Sequence, residues 1–369
     1  MVHVNSKDFD ESVVFCGRGD EKNNFLMEMY LKNDKDKDNL FEAFDYDVNR
    51  FNTIIDSVHK KNEKFYQTKK ENIKWNDEFD VFAKASYLYP HYTKKEIYPI
   101  IHNMRTGNDI YEKLPKSYYS YRDEIDFNNE SLSGFSPFVM YLNHMLNNVS
   151  TIKYHNHFTQ ADLELKTNIN KMNVADTLIK NKVVKNKILN NNAFQYLLED
   201  QNVVNNQEFL KIYHKYSTDN SQKNEINKIG NAIQLLIAGK KLPTVNLVDA
   251  NGKKYSSDDL ITSNTVIFFW TENANSHMVS VHKKVIEFKK KYPNYQFIAI
   301  NLDKDDDWKK TLSKYNFNNI KEFRCENFED IKAKWAITKI HRTIVVRSDK
   351  TILNAFTNIF DVKFEENLR

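Results

Sequence analysis

From Gly239 to the C terminus, short apolar runs alternate with amphipathic stretches, and this alternation constrains the fold more than any other feature. Strands that alternate with helices are typical of an α/β unit with a parallel sheet. The runs Val266–Trp270 and Phe297–Leu302 are mainly apolar at successive positions, which favours strands buried on both faces. The helix between them is predicted from the apolar stripe Met278, Val281, Val285, Phe288 and Tyr292.

Further elements are predicted around these two strands. Asp249–Gly252 has the composition of a tight turn, with glycine where the backbone turns most sharply, and so predicts a hairpin. The remaining predicted elements are hairpin strands over Val245–Val248 and Lys253–Ser256, helices over Asp305–Tyr315 and Phe328–Trp335, and final strands over Thr343–Val346 and Ile352–Phe356. The sequence predicts two helices in succession between the strand at 297–302 and the final hairpin.

Upstream of Gly239 the apolar residues recur at helical spacing. Phe41, Phe44, Val48, Phe51, Ile55 and Val58 step by three and four, which predicts one amphipathic helix. A second helix is predicted around Phe79, Phe82 and Tyr87, with its end near Pro90. Further helices are predicted over 134–147 and from about 162 to 236. We therefore expect an N-terminal segment at 1–35, a mainly α-helical domain at 36–238 and an α/β domain at 239–369.

Composition excludes several classes of protein. The net charge is +4, from 54 basic and 50 acidic residues that are interspersed, so we expect no nucleic-acid partner. Cys16 and Cys325 are the two cysteines, too far apart in sequence for a zinc motif or a local redox pair. No run of 18 apolar residues predicts a transmembrane segment, and no signal peptide opens the sequence.

Several segments together resemble the thioredoxin fold, in the TlpA-like (AhpC/TSA-related) branch of envelope thiol-disulfide reductases. The matching segments are Leu242-Pro243, Leu247–Lys253, Phe268-Phe269-Trp270, Ala299–Asp303 and Ile344-Val345-Val346. They cover roughly residues 239–360. The resemblance implies a protein of the cell envelope or periplasm, with any leader lying outside this sequence.

The reactive residues of that family are replaced here. Aligned without gaps, the family's Phe-Trp-Ala-x-Trp-Cys-x-x-Cys signature falls on Phe269 to His277, with Ala274 in place of the attacking cysteine and His277 in place of the resolving one. His341 stands where the family has a cis-proline facing the cysteines, so we expect a trans peptide bond there. Disulfide exchange needs a thiolate. We therefore predict no catalytic residue and no enzyme activity, leaving Trp270, Ala274, His277 and His341 as a degenerate redox motif.

Two functions rank ahead of a third, an active thiol enzyme, which would need Cys16 or Cys325 to work alone near a base. The first is a redox-inactive, thioredoxin-like protein that needs no cofactor and binds a protein or peptide partner at the former active-site face. The alternative is a copper or zinc site formed by His277 and His341, which the resemblance places opposite each other. Copper-carrying Sco-type proteins also have a histidine at the position of His341, although their two cysteine ligands are absent here. Equally, His277 could only solvate a helix end, and His341 could only fill the place of a proline.

Other candidate residues are explained more simply. His155 and His157 suggest metal capture but are expected to be surface residues, and His282 is expected to be solvated. The run Asp305–Asp307 is expected to be a solvated helix N-terminus, favoured by the helix dipole. Met278 is expected to point into the core, and Cys325 either approaches the site or is buried.

Overall fold

The computed structural model describes residues 2–3, 13–154, 160–199, 203–315, 317, 320–337 and 339–368. The chain divides into two compact units, residues 1–192 with 211–218 and residues 193–210 with 219–369. Among the described residues, the helices are too short or too polar to cross a lipid bilayer.

The first unit is mainly helical, in agreement with the sequence. Its elements are β1 (Val2–His3), β2 (Val14–Phe15), α1 (Asp20–Asn39), α2 (Val48–Ile73), α3 (Asp77–Thr106), α4 (Ser136–Tyr154) and α5 (Gln160–Leu178). The boundary between the two units falls within α6 (Lys182–Glu199) and again within α7 (Val203–Tyr216).

The single helix predicted over residues 41–58 is interrupted, so that prediction is wrong in part. Residues Phe41–Asp45 form a short 3-10 helix, and α2 starts only at Val48. The reason is Asp47, whose side chain accepts hydrogen bonds from the backbone N–H groups of Asn49 and Arg50, at 3.0 and 3.2 Å. An aspartate in this role fixes the start of a helix.

The prediction that the second helix ends near Pro90 is also wrong, because α3 continues through both Pro90 and Pro99. A proline inside a helix leaves the carbonyl four residues earlier without its usual N–H donor. The two carbonyls concerned belong to Ser86 and Lys95. The side-chain amide of Asn33 donates to the Ser86 carbonyl at 2.9 Å. The Tyr118 hydroxyl donates to the Lys95 carbonyl at 3.1 Å. Side chains from elsewhere in the unit thus replace both missing bonds.

The core of the first unit lies along α3, which contacts α1, α2 and α4. Aromatic residues dominate it, and the rings of Phe51 and Tyr98 stack with centroids 3.9 Å apart. Helix α1 was not predicted. Its core contacts come mainly from Phe25 and Met29, both fully buried, and two apolar residues are too few for a clear helical period.

The second unit is built on a mixed sheet. Its elements are α8 (Asn220–Leu235), β3 (Asn246–Val248), β4 (Lys254–Ser256), α9 (Ser257–Leu260), β5 (Thr265–Trp270), α10 (Asn275–Lys291), β6 (Gln296–Asn301), α11 (Trp308–Tyr315), β7 (Lys321–Cys325), α12 (Phe328–Trp335), β8 (Arg342–Val346) and β9 (Ile352–Asn358). The described strands are ordered β4-β3-β7-β6-β5-β8-β9. Strands β5, β6 and β7 are parallel neighbours, and the other pairs are antiparallel.

Two predictions in this unit need correction. Strand β7 was missed because its sequence Lys-Glu-Phe-Arg-Cys is largely polar, although it joins the first hairpin to β6. Helix α11 starts at Trp308, so the acidic run Asp305–Asp307 lies before the helix and not in its first turn. Strand β5 agrees with the prediction, and all six of its residues are buried.

Helices cover both faces of the sheet. On one face, α10 contributes Met278, Val281 and Val285 to the main core cluster, as predicted for Met278. On the other face, the ring of Phe269 meets that of Trp335 in α12. Helix α8 contacts α12 and therefore groups with this second unit.

Candidate functional site

The candidate site lies where β5 ends and α10 begins. Residues Glu272–Ala274 form one 3-10 turn, and Ala274 is the residue directly before α10. Asp303, which follows β6, holds this turn through the backbone N–H of Glu272, at 2.9 Å, and through the hydroxyl of Thr271. The turn is thus anchored to the neighbouring parallel strand.

Cys325, the cysteine of the second unit, does not supply a reactive thiol to this turn. Cys325 lies on β7, opposite Leu247 of the hairpin, and β6 separates β7 from β5. Its side chain is buried, and that burial raises the pKa of the thiol to about 11, so it is protonated at neutral pH. Cys16 is exposed and belongs to the first unit. Neither of the two cysteines forms a disulfide.

His277 lies in the first turn of α10 and is half-buried. Its Nε2 atom is 3.1 Å from the carbonyl oxygen of Phe269 at the end of β5. A carbonyl only accepts, so Nε2 carries the hydrogen. Burial lowers the pKa of His277 and outweighs the opposing effect of the Phe269 and Ile340 backbone. At neutral pH the ring is therefore neutral, and Nδ1 keeps its lone pair.

His341 lies in the turn before β8, next to His277. The main cause that lowers the pKa of His341 is the partial burial of its ring, although the residue as a whole is exposed. Electrostatic interactions with Lys339 and His277 lower it further. A hydrogen bond with the Ile340 backbone in turn raises the pKa of His277. The structure therefore brings the two predicted histidines to one face of the domain. The described residues contain no cis peptide bond, which confirms the trans bond predicted before His341.

Trp270 has a different position from the histidines, because its side chain is fully buried. Its indole Nε1 donates to the Glu322 carboxylate at 3.1 Å. The same carboxylate lies 3.0 Å from Nε2 of His282, whose Nδ1 is 2.6 Å from the Met278 carbonyl. Phe317 stacks on the His282 ring at 3.8 Å. Trp270 thus belongs to a buried polar network and does not line the surface.

The prediction that His282 is solvated is wrong, because its side chain is fully inaccessible. Position 282 is four residues after Met278 and three before Val285, so it fits the buried stripe of α10 by spacing alone. What the sequence could not show was its partner. Glu322 lies in β7, the strand that the polar sequence concealed.

An acidic cluster lies beside the turn. Carboxylate oxygens of Glu272, Asp305 and Asp307 lie within 4.8 Å of one another. The two aspartates are exposed, and Asp307 pairs with Lys310 at 2.6 Å. Solvation and pairing explain these groups, as expected from sequence. The other metal candidates, His155 and His157, lie outside the described residues.

Two exposed apolar side chains follow β9, and one of them lies beside His277. The ring of Phe360 lies 6.0 Å from that of His277, centroid to centroid, and Phe360 is 42% exposed. Val362 is 98% exposed. These residues do not stand out in the sequence, because a single apolar residue gives no sign of where the fold places it.

The thioredoxin-like family match lies in the C-terminal part of the chain. A family model described as thioredoxin-like matches residues 263–352. The thioredoxin domain of a thiol-disulfide oxidoreductase from Bacteroides vulgatus shares 17% identity at a TM-score of 0.31, over 36% of this chain and 99% of that one. A thiol:disulfide interchange protein from a Bacteroides species shares 18% identity at a TM-score of 0.29, over 36% of this chain and 91% of that one. None of the curated proteins matches.

The family match covers the turn at Glu272–Ala274, His277 and His341. The sheet contains the first hairpin, two parallel strands and the closing hairpin that the resemblance implies, with β7 as a third parallel strand that was not predicted. The prediction of fold class is confirmed for both parts of the chain, since the N-terminal region is mainly helical. Residues 263–352 thus match the thioredoxin-like family model and form a thioredoxin-like domain.

Proposed function

We propose that the thioredoxin-like domain binds a protein or peptide partner and does not exchange disulfides. The observation that carries this proposal is the identity of the residue directly before α10. It is Ala274, at the position where the resemblance places the attacking cysteine. A methyl group cannot form the mixed disulfide through which exchange proceeds.

The surface around the former redox turn supports a binding role. His277 is half-buried and neutral, and it lies beside the exposed ring of Phe360. Val362, two residues further along the chain, is also exposed. An uncharged, partly apolar surface of this kind favours binding of a partner, because binding releases water from the apolar side chains. Ile340 and His341 precede β8, where an extended peptide could pair with the backbone.

Selection from displayed twelve-residue peptides tests the proposal. Peptides selected on the purified chain should bind equally well with and without dithiothreitol. They should bind Phe360→Asp and Val362→Asp at least tenfold more weakly. Ile286→Asp is the matched control, since Ile286 is exposed on α10 roughly 13 Å further along the helix axis. Failure to select any binder, or unchanged binding to both loop variants, would overturn the proposal.

We further propose that the protein works in the cell envelope. The support is the resemblance to TlpA-like reductases, whose members act there. Fractionation of the cells that produce the protein tests this, with recovery in the envelope fraction as the expected result. Recovery with the cytoplasmic marker enzymes would contradict it.

A second candidate function is binding of Cu(II) or Zn(II) by His277 and His341. It is favoured by the hydrogen bond from His277 Nε2 to the Phe269 carbonyl, which orients the ring and leaves Nδ1 as a donor. Burial lowers the pKa of both imidazoles and so favours the neutral form that binds metal.

Titration with Cu(II) and Zn(II), followed by mass spectrometry, distinguishes this function from the first. Uptake of about one ion per chain that is lost in His277→Ala/His341→Ala would support the metal site. Unchanged uptake in the double variant would exclude these two residues as the ligands. The control His214→Ala removes a histidine of α7 and should leave uptake unchanged.

A further inference from the structure

The helical first unit contains a cavity of about 490 Å³ between α1, α3 and α4. Its walls are mainly apolar, with Leu26, Pro90, Ile97, Phe135 and Met140 among the lining residues. A volume of this size falls within the range of about 300–1,000 Å³ that is usual for small-molecule sites. The match to the thioredoxin-like family model, at residues 263–352, does not extend into this unit.

One lysine makes the cavity chemically selective. Lys94 of α3 lines the cavity, and it forms no hydrogen bond or ion pair with any residue that the structure describes. Burial lowers the pKa of Lys94. The negative charge of Asp36 opposes this shift, although the carboxylate forms no ion pair with the amine. An amine in such surroundings gains free energy from a bound counter-ion, because the apolar walls have removed most of its water.

The other ionisable groups that line the cavity are either paired with each other or neutral. Lys37 and Asp34 form an ion pair with each other at 2.7 Å, and both are exposed at the rim. Burial lowers the pKa of His144, which is therefore neutral at neutral pH. The cavity thus combines apolar walls with one cationic group, Lys94, that has no ion-pair partner among the described residues.

We propose that this cavity binds the anion of a free fatty acid, with the alkyl chain between α1, α3 and α4 and the carboxylate on Lys94. An amphipathic molecule with one anionic end satisfies both features at once. The apolar walls bind the methylene groups, and the carboxylate supplies the counter-ion that the amine lacks. This inference is independent of the function proposed for the thioredoxin-like domain.

Calorimetric titration of the full chain with octanoate, decanoate and dodecanoate, kept below micelle-forming concentrations, tests the proposal. Affinity should rise with chain length, by up to about fourfold per methylene, at one ligand per chain. Lys94→Met should weaken dodecanoate binding about tenfold or more, while uncharged dodecanol binds the variant as well as the wild type.

Two further variants keep the test decisive if Lys94→Met folds poorly. Met140→Trp should block all the ligands, since Met140 lines the cavity and is half-exposed, so a larger ring can be accommodated without unfolding. Lys95→Met is the matched control, because Lys95 is the next residue of α3 but does not line the cavity. Equal dodecanoate affinity in the wild type and Lys94→Met, or uptake without dependence on chain length, would overturn the proposal. Tighter binding of dodecylamine than of dodecanoate would do the same.

Discussion

Nε2 of His277 donates a hydrogen bond to the carbonyl oxygen of Phe269, 3.1 Å away. The bond joins the first turn of α10 to the end of β5, across the turn where the resemblance places a pair of cysteines. The histidine thus stabilises the local structure through Nε2, and Nδ1 of the neutral ring keeps its lone pair. One residue can therefore serve the fold and still be available for binding.

Replacing His277 should weaken the domain slightly. His277→Ala removes the hydrogen bond to Phe269 and should lower the free energy of unfolding by about 1 kcal/mol. His277→Gln, which keeps a side-chain N–H donor, should recover part of that loss. Urea unfolding followed by tryptophan fluorescence measures both. Equal stability of His277→Ala and the wild type would show that the bond contributes nothing.

The two prolines of α3 give a sharper test in the first unit. Tyr118→Phe removes the donor to the Lys95 carbonyl that Pro99 leaves unbonded, and should cost about 1 kcal/mol of stability. In a Pro99→Ala background the alanine N–H can bond that carbonyl, so the same change should cost less. A double-mutant cycle measures the difference. Strictly additive costs would refute this explanation of the unbroken helix.

The free energy of unfolding should depend on pH through His91. Burial lowers the pKa of His91 to about 3, with further lowering by His59, Lys95 and Lys94. Asp56 lies 3.6 Å from its Nε2. Because the folded pKa is below the unfolded value, the contribution is complete above about pH 6.5 and is lost as the pH falls towards 3. About 2 kcal/mol should be lost by pH 5.

The variant His91→Gln isolates this effect from that of the carboxyl groups. Its stability should change less than that of the wild type between pH 6.5 and 5, where most carboxyl groups remain ionised. Thermal unfolding at a series of pH values gives the comparison. Parallel curves for the two proteins would contradict a buried neutral His91.

The two cysteines should react at very different rates. Iodoacetamide at pH 8 should modify Cys16 first, because its side chain is exposed. Cys325 should react slowly until the protein is denatured, since burial raises its pKa to about 11. Peptide mass spectrometry after timed quenching distinguishes them. Rapid modification of Cys325 in the folded protein would indicate a thiol more accessible and more acidic than the structure shows.

The sequence predicted the elements with strong apolar patterns and missed those with weak ones. Strand β5 and helix α12 were predicted because the spacing of apolar residues in each local sequence matches the positions that are buried in the structure. Strand β7 was missed because its polar residues reach partners far away in the sequence, such as Glu322 with Trp270. The passage of α3 through Pro90 could not be foreseen, since it depends on Asn33 in another helix.

In the candidate site, too, local sequence predicts some features and packing between distant elements decides the others. The positions of Ala274 and His277 follow from an ungapped match to a strand and a helix. The burial of Trp270 and His282 and the exposure of Phe360 depend on packing between separate elements, which no local pattern contains. Resemblance placed the residues along the chain, and only the structure showed which of them reach the surface.

Reduction of insulin disulfides by dithiothreitol, with and without the protein, tests the absence of disulfide exchange most directly. We predict that the wild type leaves the rate of dithiothreitol alone unchanged. Ala274→Cys/His277→Cys should accelerate it, because the introduced thiols would lie at the N-terminal end of α10, where the helix dipole stabilises a thiolate. Acceleration by the wild type, abolished by Cys325→Ser or Cys16→Ser, would contradict the account.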